Sequence, residues 1–298
     1  MISVVIACRD DGEELRKTVR SLLDTAPEEL DIVIVDDGSR MPIVAFDGIR
    51  VIRNAYTIGV GASRHVGVLA AKSDGILITD AHMRFCPGWD VPTIIGKDRL
   101  LCGQTLALHP DDERWDQHHG IYYGAKMVIR DPSAELARYR FLNPVWAPQR
   151  CDGVTTLSAC MGALYAFWRP AFIQLGGLRM LRGFGGDEEL LSIKWMRSGR
   201  PIVFWPNLRA GHKFRLGNKA PYQIPLEDLL YNKAMIAHTC TPIGSELCAL
   251  FGYGVDMRAV QQKVRDNWGI IATEKAYLDS IFTLSWDDYV EKVKQIDA

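Results

Sequence analysis

Asp31-Ile32-Val33-Ile34-Val35-Asp36-Asp37-Gly38-Ser39 is an apolar run of strand length that ends in two carboxylates and a turn. Upstream, Ser3 to Ala7 is another short apolar strand. Between the two, Glu13 to Leu23 has the period of an amphipathic helix, with Leu15, Val19, Leu22 and Leu23 on one face. Downstream the alternation continues: a third strand over Ile49 to Ile52, a helix over Gly61 to Lys72 with small residues on its packed face, and a fourth strand over Gly75 to Thr79. Strands at this spacing joined by helical crossovers predict an α/β fold built on a parallel, doubly wound sheet. In such folds ligands bind at the carboxyl edge of the strands. The acidic strand ends are therefore the first place to look for chemistry.

Past residue 100 the pattern is less regular. Leu100 to Leu108, Ile121 to Ile129 and Val154 to Phe167 read as strands, with a polar, aromatic loop over Asp111 to His119. A glycine cluster, Gly183 to Gly186, precedes a helix over Asp187 to Ser198. A strand over Ile202 to Trp205 then leads to Gly211-His212-Lys213-Phe214-Arg215. From about Pro225 the pattern turns helical, with candidate helices over Leu226 to His238, Met257 to Trp268, Glu274 to Phe282 and Trp286 to Val293. We therefore expect a main domain over residues 1–220 and a helical C-terminal extension over 221–298, docked on it.

The 298 residues are 48% hydrophobic and 24% charged, with a formal net charge of −1. This is globular composition with ample material for a core. It carries no global basic field to recruit nucleic acid or an anionic membrane. No apolar run is long enough to span a bilayer, and Met1 to Ile6 lead straight into a strand pattern, so the expected location is cytoplasmic. The seven cysteines (8, 86, 102, 151, 160, 240 and 248) have no CxxC spacing and read as reduced residues, not as a disulfide frame or a zinc site. Nothing in the chain points to a protein partner.

Neither GxGxxG nor the P-loop GxxxxGK[ST] occurs, so a dinucleotide fold or a P-loop ATPase would lack its phosphate cradle. The strand ends remain. Asp80-Ala81-His82 follows the fourth strand, and a carboxylate and an imidazole one residue apart can turn toward one divalent ion, for which this mixed donor set suits Mn²⁺ or another first-row metal. A strand-end Asp also commonly just caps a turn. Asp36 and Asp37 could accept hydrogen bonds from a base and a ribose, or form an ordinary D-G turn. Trp115, His118 and His119 could stack on a sugar or pack their loop. Trp146, Trp168, Trp195 and Trp205 read as core.

Taken together, Ser3-Val4-Val5-Ile6 and Ile34-Val35-Asp36-Asp37-Gly38-Ser39 resemble the opening of nucleotide-sugar glycosyltransferases of the GT-A fold, including the large inverting family two. A more specific resemblance is to the catalytic domain of polypeptide N-acetylgalactosaminyltransferases. It rests on Gly59-Val60-Gly61-Ala62-Ser63-Arg64, on Asp80-Ala81-His82 followed by Pro87-Gly88-Trp89, on Gly185-Gly186-Asp187-Glu188 within Ala159 to Trp195, and on Gly211-His212-Lys213-Phe214-Arg215. It covers roughly residues 2 to 216 and implies a GT-A domain: a Rossmann-like, mostly parallel central sheet flanked by helices.

The resemblance also implies roles. Asp80, His82 and His212 would hold Mn²⁺ or another divalent cation that also binds the diphosphate of a UDP-sugar donor. Ala7, Cys8, Arg9, Asp36 and Asp37 would contact the uridine, and Arg64 would support the nucleotide or neighbouring carboxylates. Lys213 and Arg215 could neutralise charge on the departing UDP, or belong to a solvated basic loop. Asp187 and Glu188 would act on sugar and acceptor, as a general base in inverting relatives and as positioning groups in retaining ones; carboxylates at a helix start also simply complement its dipole.

The pairing of D-x-H with G-H-x-F-R favours retention. Departures bear on the sugar: this chain has Phe184-Gly185-Gly186-Asp187-Glu188 where those enzymes carry W-G-G-E-N, and Ala62 where their segment has its first Arg. The acceptor is left open among a glycan, a lipid-linked sugar, a protein hydroxyl and a hydroxymethylated DNA base. Alternative readings are an inverting family-two-like enzyme of polysaccharide or glycolipid synthesis, a nucleotidyltransferase, and a catalytically inactive nucleotide-sugar binding protein.

Overall fold

Residues 1–46, 48–91, 98–109, 113, 120–129, 142–147, 153–214, 222–245 and 256–298 are described by a computed structural model. The predicted strands β1 (Ile2–Cys8), β2 (Leu30–Asp36), β3 (Arg50–Arg53) and β4 (Gly75–Thr79) lie in the order β3-β2-β1-β4, all parallel. In register, Cys8 sits beside Asp36 and Ile6 beside Thr79, which brings the acidic strand ends to one edge. Helices α1 (Glu13–Thr25) and α2 (Val60–Ala70) provide crossovers. Leu15, Val19 and Leu22 of α1 are buried as their period requires, whereas Leu23 is exposed.

The second half of the sheet explains how distant residues reach that edge. Strand β11 (Leu164–Trp168) inserts antiparallel between β4 and β6 (Leu100–Ala107), and β12 (Ile202–His212) lies parallel to β6. Because β11 is antiparallel to both neighbours, β6 and β12 run in the same direction as β1 to β4, but the antiparallel pairings of β11 and of the edge strands make the sheet mixed, not mostly parallel as expected. Strand β10 (Thr155–Leu157) pairs with β12 at the far edge.

Three expected strands come out differently. Ile121 to Ile129 splits into β7 (Ile121–Tyr122), on β6, and β8 (Ala125–Val128), on β9 (Asn143–Trp146). The break is at Gly124, whose φ of +124 only glycine adopts readily and where a Cβ would lie 2.3 Å from Leu157 Cδ1. Val154 to Phe167 is interrupted between β10 and β11. Strand β12 runs past Trp205 to His212, absorbing a register shift between Phe204 and Arg209.

Helix α3 (Arg169–Gln174) follows β11, and α4 (Asp187–Arg197) follows the glycine cluster. The C-terminal segment is helical: α5 (Leu226–Cys240), then Arg258–Asp266, Trp268–Ile281 and Trp286–Asp297. The expected helix over Met257 to Trp268 ends at Asp266, and Asn267 separates it from the next. Leu230, Tyr231, Ala234 and Met235 of α5 belong to the same hydrophobic cluster as Val33, Ile78 and Phe167 of the sheet. Lys194 of α4 is fully buried, and its ammonium donates to Glu274 Oε1 (3.0 Å) and to the Gly177 carbonyl (3.0 Å). Such a pair ties the last helices to α4, because removing either partner would leave a buried charge alone.

Among the described residues no helix is long and apolar enough to cross a membrane. The five described cysteines, Cys8, Cys86, Cys102, Cys160 and Cys240, are free and buried.

Candidate active site

Asp80, His82 and His212 each offer one ligand atom, and these atoms all lie within 4.8 Å of one another. Local geometry explains how. The chain turns after β4, where the Asp80 N–H donates to the Ala163 carbonyl (3.1 Å). It then re-enters the sheet as β5 (Met83–Phe85), antiparallel to β12, which sets His212 beside Met83; the Lys213 N–H donates to the His82 carbonyl (3.0 Å). Thr18 of α1 pins the turn from below. Its hydroxyl donates to the Ala81 carbonyl (2.8 Å) and accepts from the Met83 N–H (2.9 Å).

A carboxylate and two imidazoles fit a first-row divalent ion better than an all-oxygen set fits one. Ligand atoms about 2.0–2.6 Å from a cation lie up to about 4–5 Å apart, so the observed spacing also fits. His212 Nε2 is 3.4 Å from Asp80 Oδ2, and the two imidazole rings are 4.9 Å apart. His82 Nδ1 lies 3.3 Å from Asp11 Oδ1, an arrangement that leaves Nε2 as the ligand nitrogen. Burial alone would raise the Asp80 carboxyl, but the His212 hydrogen bond and the charges of Arg64, His82 and His212 outweigh it and hold the group well below the usual range. Asp80 is therefore ionised and ready to ligate.

Arg64, only 4% exposed, joins this trio to the next cluster. Its guanidinium donates to Asp80 Oδ1 (2.6 Å), to the Gly162 carbonyl (2.8 Å) and to Asp187 Oδ2. It is a strut between carboxylates, one of the two roles the resemblance implied.

Glu188 is the reverse case. Burial, then the charges of Asp187 and Glu189, push its carboxyl up to about 8, against hydrogen bonds donated to Oε1 by the Gly162 N–H (2.5 Å) and the Trp146 indole N–H (3.1 Å). Asp187 is paired with Arg64, while the raised Glu188 carboxyl favours its neutral form at neutral pH. Adjacent in sequence, they differ in surroundings because only Asp187 touches the guanidinium.

All of these groups line one cavity of about 1190 Å³, above the range of ordinary small-molecule sites and large enough for a nucleotide with a sugar attached. Ala7, Cys8, Arg9 and Asp37, which the resemblance put against the uridine, line it too. The Asp37 carboxylate accepts from the Ile58 N–H (2.8 Å), the Gly59 N–H (2.9 Å) and Asn54 Nδ2 (2.9 Å), which shapes the wall.

Asp36 is placed differently. It is fully buried, accepts from the Ser39 N–H (2.9 Å) and the Ile43 N–H (3.2 Å), is paired with Arg53, and holds the turn that carries Asp37. Lys213 is paired with Glu14 (2.8 Å) and is not part of the cavity wall. Arg215, Trp115, His118 and His119 lie outside the described residues.

Sequence reasoning missed two contributors. Trp146, expected in the core, lines the cavity at the end of β9, with its ring against Tyr122, Phe214 and His212 and its indole N–H on Glu188. The segment Tyr222 to Pro225 also lines it, and the Arg9 guanidinium lies 4.7 Å over the Tyr222 ring. The Arg9 and Tyr222 types were visible in sequence, but their stacking depends on a chain reversal that no local pattern encodes.

Residues 3–130 match the family model of glycosyl transferase family 2. Among known proteins it is similar to human N-acetylgalactosaminyltransferase 7, at 28% identity over 270 residues, covering 77% of this chain and 39% of that protein. It is likewise similar to rat polypeptide N-acetylgalactosaminyltransferase 10, at 29% identity over 253 residues, covering 75% and 39%. The chain thus spans about two-fifths of the length of these relatives. The crystal structure of GalNAc-T7 with UDP, GalNAc and Mn²⁺ superimposes with a TM-score of 0.73 at 19% identity, over 99% of this chain and 57% of that one. The fold is GT-A, as the resemblance implied.

Proposed function

We propose that this protein is a metal-dependent glycosyltransferase that moves a sugar from a UDP-sugar to an acceptor hydroxyl with retention of anomeric configuration. The observation that carries the reading is the convergence of Asp80, His82 and His212, from two distant parts of the chain, on one edge of a GT-A sheet and in a cavity of nucleotide-sugar size. The family 2 match and the superposition on a structure holding UDP and Mn²⁺ support it. When bound, Mn²⁺ supplies Lewis acidity that stabilises the departing diphosphate.

The chain's own groups do the rest. Asp37 and the backbone of Ala7, Cys8 and Arg9 form the nucleoside wall. Arg64 fixes the direction in which Asp80 and Asp187 point, and Asp187 and Glu188 face the sugar and the acceptor. Two features support retention over inversion. An inverting base must be an available carboxylate, but Asp187 is held by Arg64 and Glu188 is protonated at neutral pH. The acceptor is a glycan, a protein hydroxyl or a hydroxymethylated DNA base. The free, buried thiols fit a reducing compartment such as the cytoplasm.

The test is UDP release from a panel of UDP-sugars with Mn²⁺, with and without EDTA, followed by proton NMR of the product's anomeric centre. Mn²⁺-dependent release and a product of the donor's own configuration are expected. No release from any donor, or no effect of EDTA, overturns the enzyme reading; an inverted product overturns the stereochemistry alone and favours a family-two-like base.

A further inference from the structure

The loop Arg182 to Gly186 sets where Asp187 and Glu188 enter the cavity, and no side chain caps the helix they begin. Gly183, Gly185 and Gly186 all have positive φ, so the loop has little intrinsic preference for the shape it holds. Two elements grip it. On one side the Gly183 N–H donates to the Ile58 carbonyl (3.0 Å), and Gly59 approaches so closely that a Cβ there would lie 1.8 Å from the Gly183 oxygen.

On the other side stands Asn232 of α5, fully buried. Its Oδ1 accepts from the Arg182 N–H (3.0 Å), while its Nδ2 donates to the Arg182 carbonyl (2.7 Å) and the Gly185 carbonyl (2.8 Å), with the Phe184 carbonyl at 3.4 Å. Donor and acceptor ends of one amide are thus both spent on the backbone of a single loop. A side chain retained only for packing has no reason to be an amide here, since an unpaired buried amide costs free energy and an apolar residue would not.

We propose that Asn232 is a positioning residue for the transfer step: it clamps the Arg182–Gly186 loop and so fixes Asp187 and Glu188 against the donor sugar. This rests on the glycosyltransferase reading above. It also makes the C-terminal helical segment part of the machinery, since the clamp is delivered by α5. Nucleotide binding draws instead on Asp37, the metal trio and Arg64, and Arg64 keeps Asp80 and Gly162 as partners when the loop moves. Losing the clamp should therefore separate binding from turnover.

Asn232→Asp keeps the shape but replaces the donating amide nitrogen with a carboxylate oxygen that faces three carbonyls. The test compares it with wild type and with Thr239→Val, a buried change in the same helix whose hydroxyl donates only within α5 (Met235 carbonyl, 2.8 Å). Hydrogen exchange over residues 178–190 reads the loop directly, without any substrate. Expected for Asn232→Asp are an exchange rate raised tenfold or more in that segment alone, kcat lowered about thirtyfold or more, and Mn²⁺-dependent UDP affinity within about threefold of wild type. Thr239→Val should leave loop exchange unchanged.

Unchanged loop exchange in Asn232→Asp overturns the clamp, as does unchanged kcat in a protein whose loop has loosened. If Asn232→Asp does not fold, Asn232→Ser replaces it; failure of both to fold assigns Asn232 to global stability and overturns the proposal. A wild-type protein that binds no UDP would sink the glycosyltransferase reading, and the exchange result would still decide whether the clamp exists.

Discussion

Glu188→Gln should abolish a pH dependence of stability that the wild-type cavity builds in. In the folded protein the Glu188 carboxyl is pushed from its ordinary 4.5 up to about 8, first by burial and then by Asp187 and Glu189. Below pH 4.5 the group is protonated in both folded and unfolded chains and contributes nothing to the pH dependence. Between pH 4.5 and 8 the unfolded chain gives up the proton while the folded one keeps it, so folding becomes less favourable as pH rises; above 8 the loss is complete.

At about 1.4 kcal/mol per pH unit the full penalty is ~5 kcal/mol. The carboxyl is only partly buried and lines a water-accessible cavity, which screens the penalty to on the order of 2–4 kcal/mol. Glutamine keeps the Oε1 that accepts from Gly162 and Trp146 and cannot ionise. The variant should match wild type near pH 4.5 and exceed it by that amount at pH 8.5. The assay is urea unfolding across this range in EDTA, where an m-value of about 2 kcal/mol/M converts the difference into a midpoint shift of ~1–2 M. Parallel pH profiles for the two proteins would refute the reasoning.

Arg64→Met should cost on the order of 3–5 kcal/mol in the same unfolding assay, because it strands Asp80 and Asp187 around a dry side chain; a loss below about 1 kcal/mol would show the strut to be dispensable. Gly59→Ala should be among the worst single changes, on the order of 3 kcal/mol or more, since it combines a φ of +102 with a Cβ 1.8 Å from a backbone oxygen. By contrast Gly269→Ala, with nothing within 4 Å and a position inside the helix Trp268–Ile281, should stabilise by ~0.5–1 kcal/mol. Equal effects of the two changes, read as shifts in thermal midpoint, would contradict the assigned packing.

What could be read from the sequence was local. The first four strands are largely apolar runs, and Asp80 and His82 stand two residues apart at the end of one of them, so fold class and two of the three metal-site residues were visible at once. His212 is 130 residues downstream of His82 and needed the motif Gly211 to Phe214 to single it out; the register of β12 on β5 is what physically brings it in. Asp36 and Asp37 look equivalent in sequence, yet strand alternation turns one into the turn and the other to the cavity wall. Trp146 has the composition of a core residue and became a cavity wall because β9 ends there. Asn232 sits in a helix whose pattern says only that it is buried; its role depends on which loop comes to rest against it.

The central claim is that Asp80, His82 and His212 act together as the metal site through which UDP binds. Calorimetric titration of UDP with and without Mn²⁺, into wild type and His212→Ala, tests it most directly. The account predicts Mn²⁺-dependent UDP binding in wild type and, in a variant with unchanged circular dichroism, an affinity weakened on the order of 10–100-fold or more. UDP affinity that is indifferent to Mn²⁺ in wild type, or equally Mn²⁺-dependent after His212 is removed, would contradict it.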